Sequence, residues 1–444
     1  MRIYNNPVSR LCFFITLAIV WASCSDRGGM GIFKKQSPHE AYGQKLKDAG
    51  LDGTALGRKW LLKSTEILDA PLNITIPYKE TGYFAADKPG GTALRFSAAR
   101  GKKILITLTK KPAANFTIYI DLYEVNDNNQ LNRVASADTT GVLPGYEVKH
   151  DGKYLIRLQP ELLQSGEYTL TILAGPSLNF PVSATGKPRI GSFWGDNRDD
   201  NGRRHEGIDI FAPKGTAAIA AANGTVNNVT ENTLGGKVVF FRPDNADYTL
   251  YYAHLDAQLV QPGQTLTTGD TIGLVGNTGN ARNTPSHLHF GIYTFGGAIN
   301  PLAFVAREVT PAAPVTAGLT KLNATLRTEN IVNKLYDAPT EKGTTMLNLP
   351  KNAVLTVDAA TGSWYKVKLP DGLTGYISSK IVTEANTLRS ITMKNTQPLF
   401  DAPDSLNAPR KKLLAAGNKV AVLGAYKNYY LVKDDGETGW VTVE

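Results

Sequence analysis

Residues 286–293 read Ser-His-Leu-His-Phe-Gly-Ile-Tyr, and this alternation of polar and apolar residues predicts a half-buried β-strand. Successive side chains of a strand point to opposite faces, so His287 and His289 are expected on one face with their Cα atoms about 7 Å apart. A third histidine, His254, lies in the strand-like segment Tyr-Tyr-Ala-His-Leu at 251–255. The three imidazoles are therefore candidates for one small site on a β-sheet.

A fourth histidine and an aspartate, His205 and Asp209, are separated by three residues. A straight strand would hold them about 13 Å apart, too far for one ion, but Gly207 between them permits a bend that would turn both inward. The competing helical geometry of the H-E-x-x-H type lacks its second histidine here, and the apolar residues around Gly207 favour a strand. We therefore expect both side chains to join the same site.

This set of residues is what zinc-dependent hydrolysis requires. Two or three imidazoles and a carboxylate hold the ion, one position stays open for water, and spare imidazoles transfer protons. A single histidine is more often a structural residue than a ligand, but four histidines and an aspartate within 85 residues predict a metal site. Spacing alone does not say which of His287 and His289 binds the ion.

Residues 186–306 resemble the lysostaphin-type (LytM-like) zinc endopeptidases, which cut the peptide cross-bridges of peptidoglycan. The segments that carry the resemblance occur in the order of that family. They are Arg-His-Glu-Gly-Ile-Asp-Ile-Phe-Ala-Pro-Lys-Gly-Thr at 204–216, Tyr-Tyr-Ala-His-Leu at 251–255, the glycine-rich stretch 260–279 and His-Leu-His-Phe-Gly at 287–291. Residues 192–198, Ser-Phe-Trp-Gly-Asp-Asn-Arg, are loosely similar to a Gly-x-Arg segment that precedes the first histidine in the family.

The resemblance implies one Zn²⁺ per chain, held by His205, Asp209 and His289. It makes His254 and His287 the catalytic pair of a peptidoglycan hydrolase that works by attack of zinc-bound water on a peptide bond. Because some relatives keep this fold but lose the ligands, the alternative is a non-catalytic, wall-binding regulator that activates other wall hydrolases. Retention of all five polar side chains favours the enzyme.

The N-terminal residues predict export. Basic residues precede an apolar stretch from Leu11 to Val20 that is too short to span a membrane and resembles a secretory signal. The small residues before Cys24 resemble a lipoprotein cleavage site, and Cys24 would be the only thiol of the mature chain. We therefore expect acylation at Cys24 and a membrane-anchored lipoprotein, facing the periplasm of a Gram-negative bacterium. The lack of cysteine in residues 25–444 excludes a disulfide framework, a thiolate zinc site and a cysteine peptidase.

The chain has a formal net charge of +9 over 444 residues. Its Lys and Arg residues form no basic stripe with interleaved aromatic residues, so a nucleic-acid partner is not expected. The positive charge is instead interpreted as a nonspecific attraction to anionic wall polymer.

Composition and turn signals predict a mainly β, multidomain chain. Strand-like segments between residues 63 and 180 predict an N-terminal β-sandwich. A Pro- and Ala-rich linker follows the antiparallel-β peptidase domain. The expected organisation is a signal peptide (1–23), a lipid tether with a short helical segment (24–62), the β-sandwich (63–180), the peptidase domain (181–306), the linker (307–320) and two SH3-like domains (321–386 and 387–444).

An internal repeat supports the last two domains. Leu-Tyr-Asp-Ala-Pro at 335–339 returns as Leu-Phe-Asp-Ala-Pro at 399–403, and Asp-Gly-Leu-Thr-Gly-Tyr at 371–376 returns as Asp-Gly-Glu-Thr-Gly-Trp at 435–440. Each copy resembles a bacterial SH3-type barrel, a module that commonly holds wall peptide near a hydrolase. Four aromatic residues could either contact such a ligand or fill the small cores: Trp364, Tyr376, Tyr430 and Trp440.

Overall fold

The computed structural model describes residues 36–137, 143, 145–198, 202–306 and 309–443, and the described residues from Ser37 onward form one compact unit. The described chain is mainly β, with several sheets, as the sequence predicts. Within these ranges, no helix combines the length and the apolar character needed to cross a membrane.

Two helices precede the first strand, and both begin with a side-chain cap. The Ser37 hydroxyl accepts a hydrogen bond from the Glu40 backbone N–H, and the Glu40 carboxylate accepts one from the Ser37 N–H, which together form a capping box. In the second helix, the buried Trp60 indole donates to the Pro160 carbonyl at 2.7 Å. This bond fixes the helix to the sheet below it. The helices are α1 (Pro38–Asp48) and α2 (Ala55–Asp69).

Nine strands form the predicted sandwich region. They are β1 (Leu72–Asn73), β2 (Tyr78–Phe84), β3 (Thr92–Ala98), β4 (Lys102–Lys111), β5 (Ile118–Val125), β6 (Leu131–Ser136), β7 (Tyr146–Glu147), β8 (Gly152–Pro160) and β9 (Gly166–Pro176). One sheet has the order β1-β3-β8-β5-β6, and β2, β9, β4 and β7 lie side by side in another. Buried side chains from both sheets, among them Leu94, Ile156, Ile104 and Leu170, form one hydrophobic core.

The peptidase region consists of twelve strands and a short helix: β10 (Arg189–Ser192), β11 (Asn197–Arg198), β12 (Arg203–Arg204), β13 (Ile208–Phe211), β14 (Ala217–Ile219), β15 (Gly224–Asn232), β16 (Gly236–Pro243), β17 (Tyr248–Gln258), β18 (Thr265–Leu266), β19 (Thr271–Val275), β20 (His287–Thr294), β21 (Gly297–Ile299) and α3 (Leu302–Val305). The main sheet has the order β10-β13-β20-β17-β16-β15-β18. One face of its central strands is buried, through Ile210, Leu250, Tyr252, Phe290 and Ile292. The intervening residues lie on the opposite face.

The C-terminal strands form two small modules that follow the predicted repeat. The first contains β22 (Thr325–Thr328), β23 (Val332–Tyr336), β24 (Thr345–Pro350), β25 (Val354–Thr361), β26 (Trp364–Lys368), β27 (Thr374–Ser378) and β28 (Val382–Glu384). The second contains β29 (Arg389–Thr392), β30 (Gln397–Phe400), β31 (Arg410–Leu414), β32 (Lys419–Tyr426), β33 (Tyr429–Asp434) and β34 (Glu437–Thr442).

The first SH3-type module is continuous with the sandwich. Strand β2 pairs with β25 through Thr81 opposite Ala360 and Gly82 opposite Ala359, so the order β24-β23-β27-β26-β25-β2-β9-β4-β7 runs through one eleven-stranded sheet. The sequence predicts two separate domains here, because a pairing between strands almost 280 residues apart leaves no local signal.

Candidate metal and catalytic site

Three neighbouring strands, β13, β20 and β17, bring the predicted site residues together. Asp209 on β13 lies directly opposite His289 on β20, and His289 lies opposite Ala253 on β17. His254 follows Ala253 in the chain, and His287 is two residues before His289. The pairing of these strands therefore brings residues that are spread over more than 80 positions of the chain into one cluster.

His205 reaches this cluster from just outside the sheet, since β12 ends at Arg204 and β13 begins at Ile208. A Cβ atom on Gly207 would lie only 2.7 Å from the His289 ring and 2.7 Å from the Phe290 carbonyl oxygen. The glycine is therefore needed because the chain passes so close to β20, a more specific requirement than the bend expected from the sequence.

A β-bulge orients the His254 side chain toward the cluster. The register between β16 and β17 shifts between Lys237 and Val239, and His254 has a φ of 59°, in the left-handed region. A non-glycine residue in that region is strained, and such residues are concentrated at functional sites. The backbone N–H of His254 donates to the Gly235 carbonyl at 2.7 Å, which holds the bulge in place.

His205, Asp209 and His289 form a compact triad of potential ligands. The Nε2 atom of His205 lies 2.9 Å from Nδ1 of His289 and 3.0 Å from Oδ1 of Asp209, and His289 Nδ1 lies 3.0 Å from the same oxygen. Burial would raise the pKa of Asp209, but the close approach of the His205 and His289 rings outweighs it and holds that pKa well below its usual range. Burial lowers the pKa of His289, against the opposing effect of Asp209.

This geometry fits a tetrahedral divalent ion. Ligands bonded to zinc at roughly 2.0–2.1 Å lie about 3.3 Å from one another, so separations of 2.9–3.0 Å require shifts of only a few tenths of an ångström. His205 donates its Nδ1 proton to the Phe193 carbonyl at 2.8 Å, which leaves the Nε2 lone pair facing the triad. The three are also the group of described His and carboxylate residues whose ligand atoms lie within 4.8 Å of one another.

Arg198 is a further residue at this site. Its guanidinium donates to Oδ2 of Asp209 at 2.8 Å and to the Ser192 hydroxyl at 2.7 Å, so the Asp209 carboxylate is held from the side opposite the histidines. The loose similarity of residues 192–198 to a Gly-x-Arg segment was the available sequence signal. It did not reveal this contact, which depends on the pairing of β11 with β12.

His254 and His287 border the triad without belonging to it. Their Nδ1 atoms donate to the carbonyls of Thr278 (2.9 Å) and Pro285 (2.8 Å), so the Nε2 atom of each ring is available for proton transfer. The two ring centroids are 5.0 Å apart, and His287 Nε2 lies 3.8 Å from Asp209 Oδ1. Burial, together with the neighbouring His287 and His289, lowers the pKa of His254 to about 4.

The four candidate ligand-binding aromatic residues lie far from this cluster in the fold. Tyr376 is fully buried and joins the core of the sandwich, and Trp440 is buried in a core that the two SH3-type modules share. Trp364 packs against the sandwich core, and Tyr430 packs against the core of the second module while keeping an Arg389 guanidinium over its ring. For Tyr376 and Trp440 this burial favours the core role. Cys24 lies outside the described residues.

The region that carries this site matches a known family model. Residues 203–301 match the family model described as Peptidase family M23, and residues 333–383 match the model described as Bacterial SH3 domain. The chain therefore contains an M23 peptidase domain and a bacterial SH3 domain, which confirms the predicted resemblance.

Several curated proteins are similar to the peptidase region. An uncharacterized metalloprotease of Haemophilus influenzae is 42% identical over 101 residues, which cover 22% of this chain and 21% of that protein. An L-Ala–D-Glu endopeptidase of Bacillus subtilis is 37% identical over 126 residues, or 27% of this chain and 38% of the relative. The murein hydrolase activator NlpD of Salmonella dublin is 33% identical over 132 residues, or 30% and 34%. The chain thus spans between about a fifth and two fifths of the length of these relatives.

Among solved structures, the catalytic domain of lysostaphin from Staphylococcus simulans is 27% identical. The match covers 28% of this chain and 97% of that domain, with a TM-score of 0.26.

Proposed function

We propose that this protein is a zinc endopeptidase that hydrolyses peptide cross-links of peptidoglycan. The observation that carries the proposal is the convergence of His205, Asp209 and His289, with His254 and His287 beside them, within a domain of peptidase family M23. The similarity to a peptidoglycan DD-endopeptidase of Vibrio cholerae, 38% identical over 99 residues, supports the substrate class.

Zinc held by the triad would supply a Lewis acid that polarises the peptide carbonyl and activates water. The chain's own residues then have distinct tasks. Asp209 and the two ligand histidines hold the ion, and Arg198 orients the carboxylate. His254 and His287 present Nε2 atoms toward the reacting centre, where one can stabilise the developing oxyanion and the other can protonate the leaving amine.

Variants of the two groups of histidines test this division of roles. We expect His254→Ala and His287→Ala to retain about one zinc per chain but to lose turnover by at least about 100-fold, because each removes a group that either stabilises the oxyanion or protonates the leaving amine. We expect His205→Ala and Asp209→Ala to lose both zinc and turnover. The measurements are metal content and cleavage of defined cross-linked muropeptides, with and without a chelator.

His150→Ala is the matched control, since it removes an exposed histidine far from the cluster in sequence and should change neither quantity. Full activity of the His287→Ala variant, or turnover of the wild-type protein that survives complete removal of metal, would contradict the proposal.

The similarity to NlpD supports a second candidate, a non-catalytic protein that activates other wall hydrolases. In that case the purified protein would not cleave muropeptides, would stimulate a separate wall hydrolase, and would do so equally well after His254→Ala. Retention of the whole polar cluster favours the enzyme.

We further propose that the mature protein is exported and anchored to a membrane through acylated Cys24, facing the periplasm. The signal-like segment before Cys24 supports this. Radiolabelled palmitate should be incorporated into the wild-type chain and not into Cys24→Ser; labelling that persists in the variant would reject the anchor.

A further inference from the structure

The face of the peptidase sheet that carries the metal triad continues well beyond it. Side chains alternate along β20, so His289, Gly291 and Tyr293 share one face while Phe290 and Ile292 enter the core. Pairing with the neighbouring strands arranges the residues of this exposed face in rows that run across the sheet. His289 lies opposite Ala253, Gly291 opposite Tyr251 and Tyr293 opposite Thr249, and on β16 Phe240 lies opposite Tyr251.

Aromatic rings form a continuous floor along these rows. The Tyr251 ring makes edge-to-face contacts with His289 (centroids 5.9 Å apart) and with Tyr293 (5.7 Å), and it lies 4.9 Å from the Phe240 ring. This arrangement of rings requires a glycine at position 291, because a Cβ atom there would lie 2.9 Å from the Tyr293 ring. A path of contacting aromatic rings therefore leads along the sheet, away from the metal triad.

The path ends in a groove of about 700 Å³, whose walls include Phe240, Arg242, Tyr293 and the fully exposed Phe295. Two charged side chains line it. The Asp247 carboxylate is already paired with Arg100 of the sandwich region, at 3.0 and 3.1 Å, so its charge is largely compensated. Arg242 is exposed, and among the residues that the structure describes its guanidinium has only a long contact of 3.5 Å to the Ala246 carbonyl. The groove therefore offers a guanidinium to an anionic ligand.

We propose that this groove is a distal substrate subsite that binds an extended, acidic peptide, with Arg242 pairing to a carboxylate of that peptide. The inference rests on the proposed peptidase function and adds the chemical class of the substrate. Arg242 follows Phe240 by two residues, so its row lies two rows, or about 13 Å, from that of His289. Strand β16 also lies two strands from β20, about 10 Å to the side, so the separation is about 16 Å, which an extended peptide of about five residues covers. The aromatic floor would contact its backbone and apolar groups, and a guanidinium binds a carboxylate in preference to neutral groups.

Binding of two related probes tests the subsite. The first probe is a cross-linked stem-peptide dimer freed of its sugars, and the second is the same dimer with its carboxylates amidated. For the acidic dimer we expect Arg242→Gln to raise the dissociation constant and KM by about three- to tenfold, with kcat unchanged. The amidated dimer should bind the wild-type protein and Arg242→Gln equally.

Arg58→Gln, which removes the same charge from an exposed position of helix α2, where the guanidinium has a similarly long contact of 3.4 Å to the Gly53 carbonyl, is the matched control and should bind both probes like the wild type. The subsite is rejected if Arg242→Gln leaves binding of the acidic dimer unchanged or weakens both dimers alike. An effect seen only when the disaccharides are attached would assign the groove to glycan and reject the peptide.

The binding assay needs no turnover, so it separates the two proposals. If the wild-type protein cleaves neither dimer but binds the acidic one through Arg242, the peptidase function fails and the subsite stands. If cleavage is normal and the two dimers bind alike, only the subsite fails.

Discussion

At the scale of single residues, Arg198 is the side chain whose role is most directly testable. Its hydrogen bond to Oδ2 of Asp209 holds that carboxylate with Oδ1 toward the two histidines. Partners of this kind orient a ligand and typically contribute 10- to 100-fold to metal affinity. We therefore expect Arg198→Gln to weaken zinc binding by about 10- to 100-fold, measured by competition with a chromophoric chelator. Arg242→Gln, on the same sheet but away from the triad, should leave zinc affinity unchanged. Equal affinities of Arg198→Gln and the wild-type protein would show that Asp209 needs no such support.

The site residues also differ in how well their placement and role can be predicted from the sequence. Strand periodicity predicts that His287 and His289 share a face, but only the family resemblance separates ligand from catalytic residue. The positive φ of His254 had no sequence signal, since it arises from a bulge fixed by the Gly235 carbonyl, in the turn between β15 and β16. The local sequence pattern thus identifies the candidate site residues, and pairing between distant strands orients their side chains.

At the scale of elements, the docking of helix α1 depends on a buried histidine. The Arg157 guanidinium can only donate, so His39 Nδ1 accepts its hydrogen bond at 2.9 Å, and Nε2 donates to Gln159 Oε1 at 2.7 Å. Burial, with the Arg157 charge acting in the same direction and Asp121 opposing it, lowers the pKa of His39 to about 4. The ring is therefore neutral in the folded protein at physiological pH.

This lowered pKa makes stability depend on pH in a defined direction. The unfolded chain, with a histidine pKa of about 6.5, binds a proton that the folded chain does not bind between pH 6.5 and pH 4. His39 should therefore cost the folded state about 1.4 kcal/mol for each unit of pH decrease in this window, and nothing further below it or above it. The measurement is the pH dependence of urea unfolding for the wild-type protein minus that for His39→Gln. A difference that stays constant from pH 7 to pH 4 would show that His39 titrates normally.

At the scale of the whole molecule, the sequence predicts the mainly β architecture and the SH3-type repeat, because both rest on local periodicity and turn residues. It does not predict that the sandwich and the first module share one sheet, or that the two SH3-type modules share a core. The repeat-related residues Tyr376 and Trp440 are each covered by the preceding part of the chain, by the sandwich and by the first module respectively. From sequence, an aromatic residue kept for such packing looks the same as one kept for a ligand.

The join between the sandwich and the first module contains a buried ion pair that can be tested directly. Lys366 on β26 donates to both carboxylate oxygens of Glu80 on β2 at 2.9 Å, and Tyr78 and Tyr168 donate to the same carboxylate. Glu80 is fully buried and Lys366 is 3% exposed, so removal of one partner leaves a desolvated charge without compensation. We expect Lys366→Met to lower the free energy of unfolding by about 3–5 kcal/mol.

The double variant Glu80→Gln/Lys366→Met is the control for this prediction. It removes both charges and should recover much of the loss, since a neutral pair carries no uncompensated charge. Thermal and urea unfolding of the wild-type protein, the single variants Lys366→Met and Glu80→Gln, and the double variant measure the coupling. If Lys366→Met is as stable as the wild-type protein, β2 and β25 do not stay paired in solution and the first module moves as a free arm. If the coupling is present, the module is part of a rigid body with the sandwich, and a deletion of residues 321–444 would damage the rest of the protein as well as any wall binding by the modules.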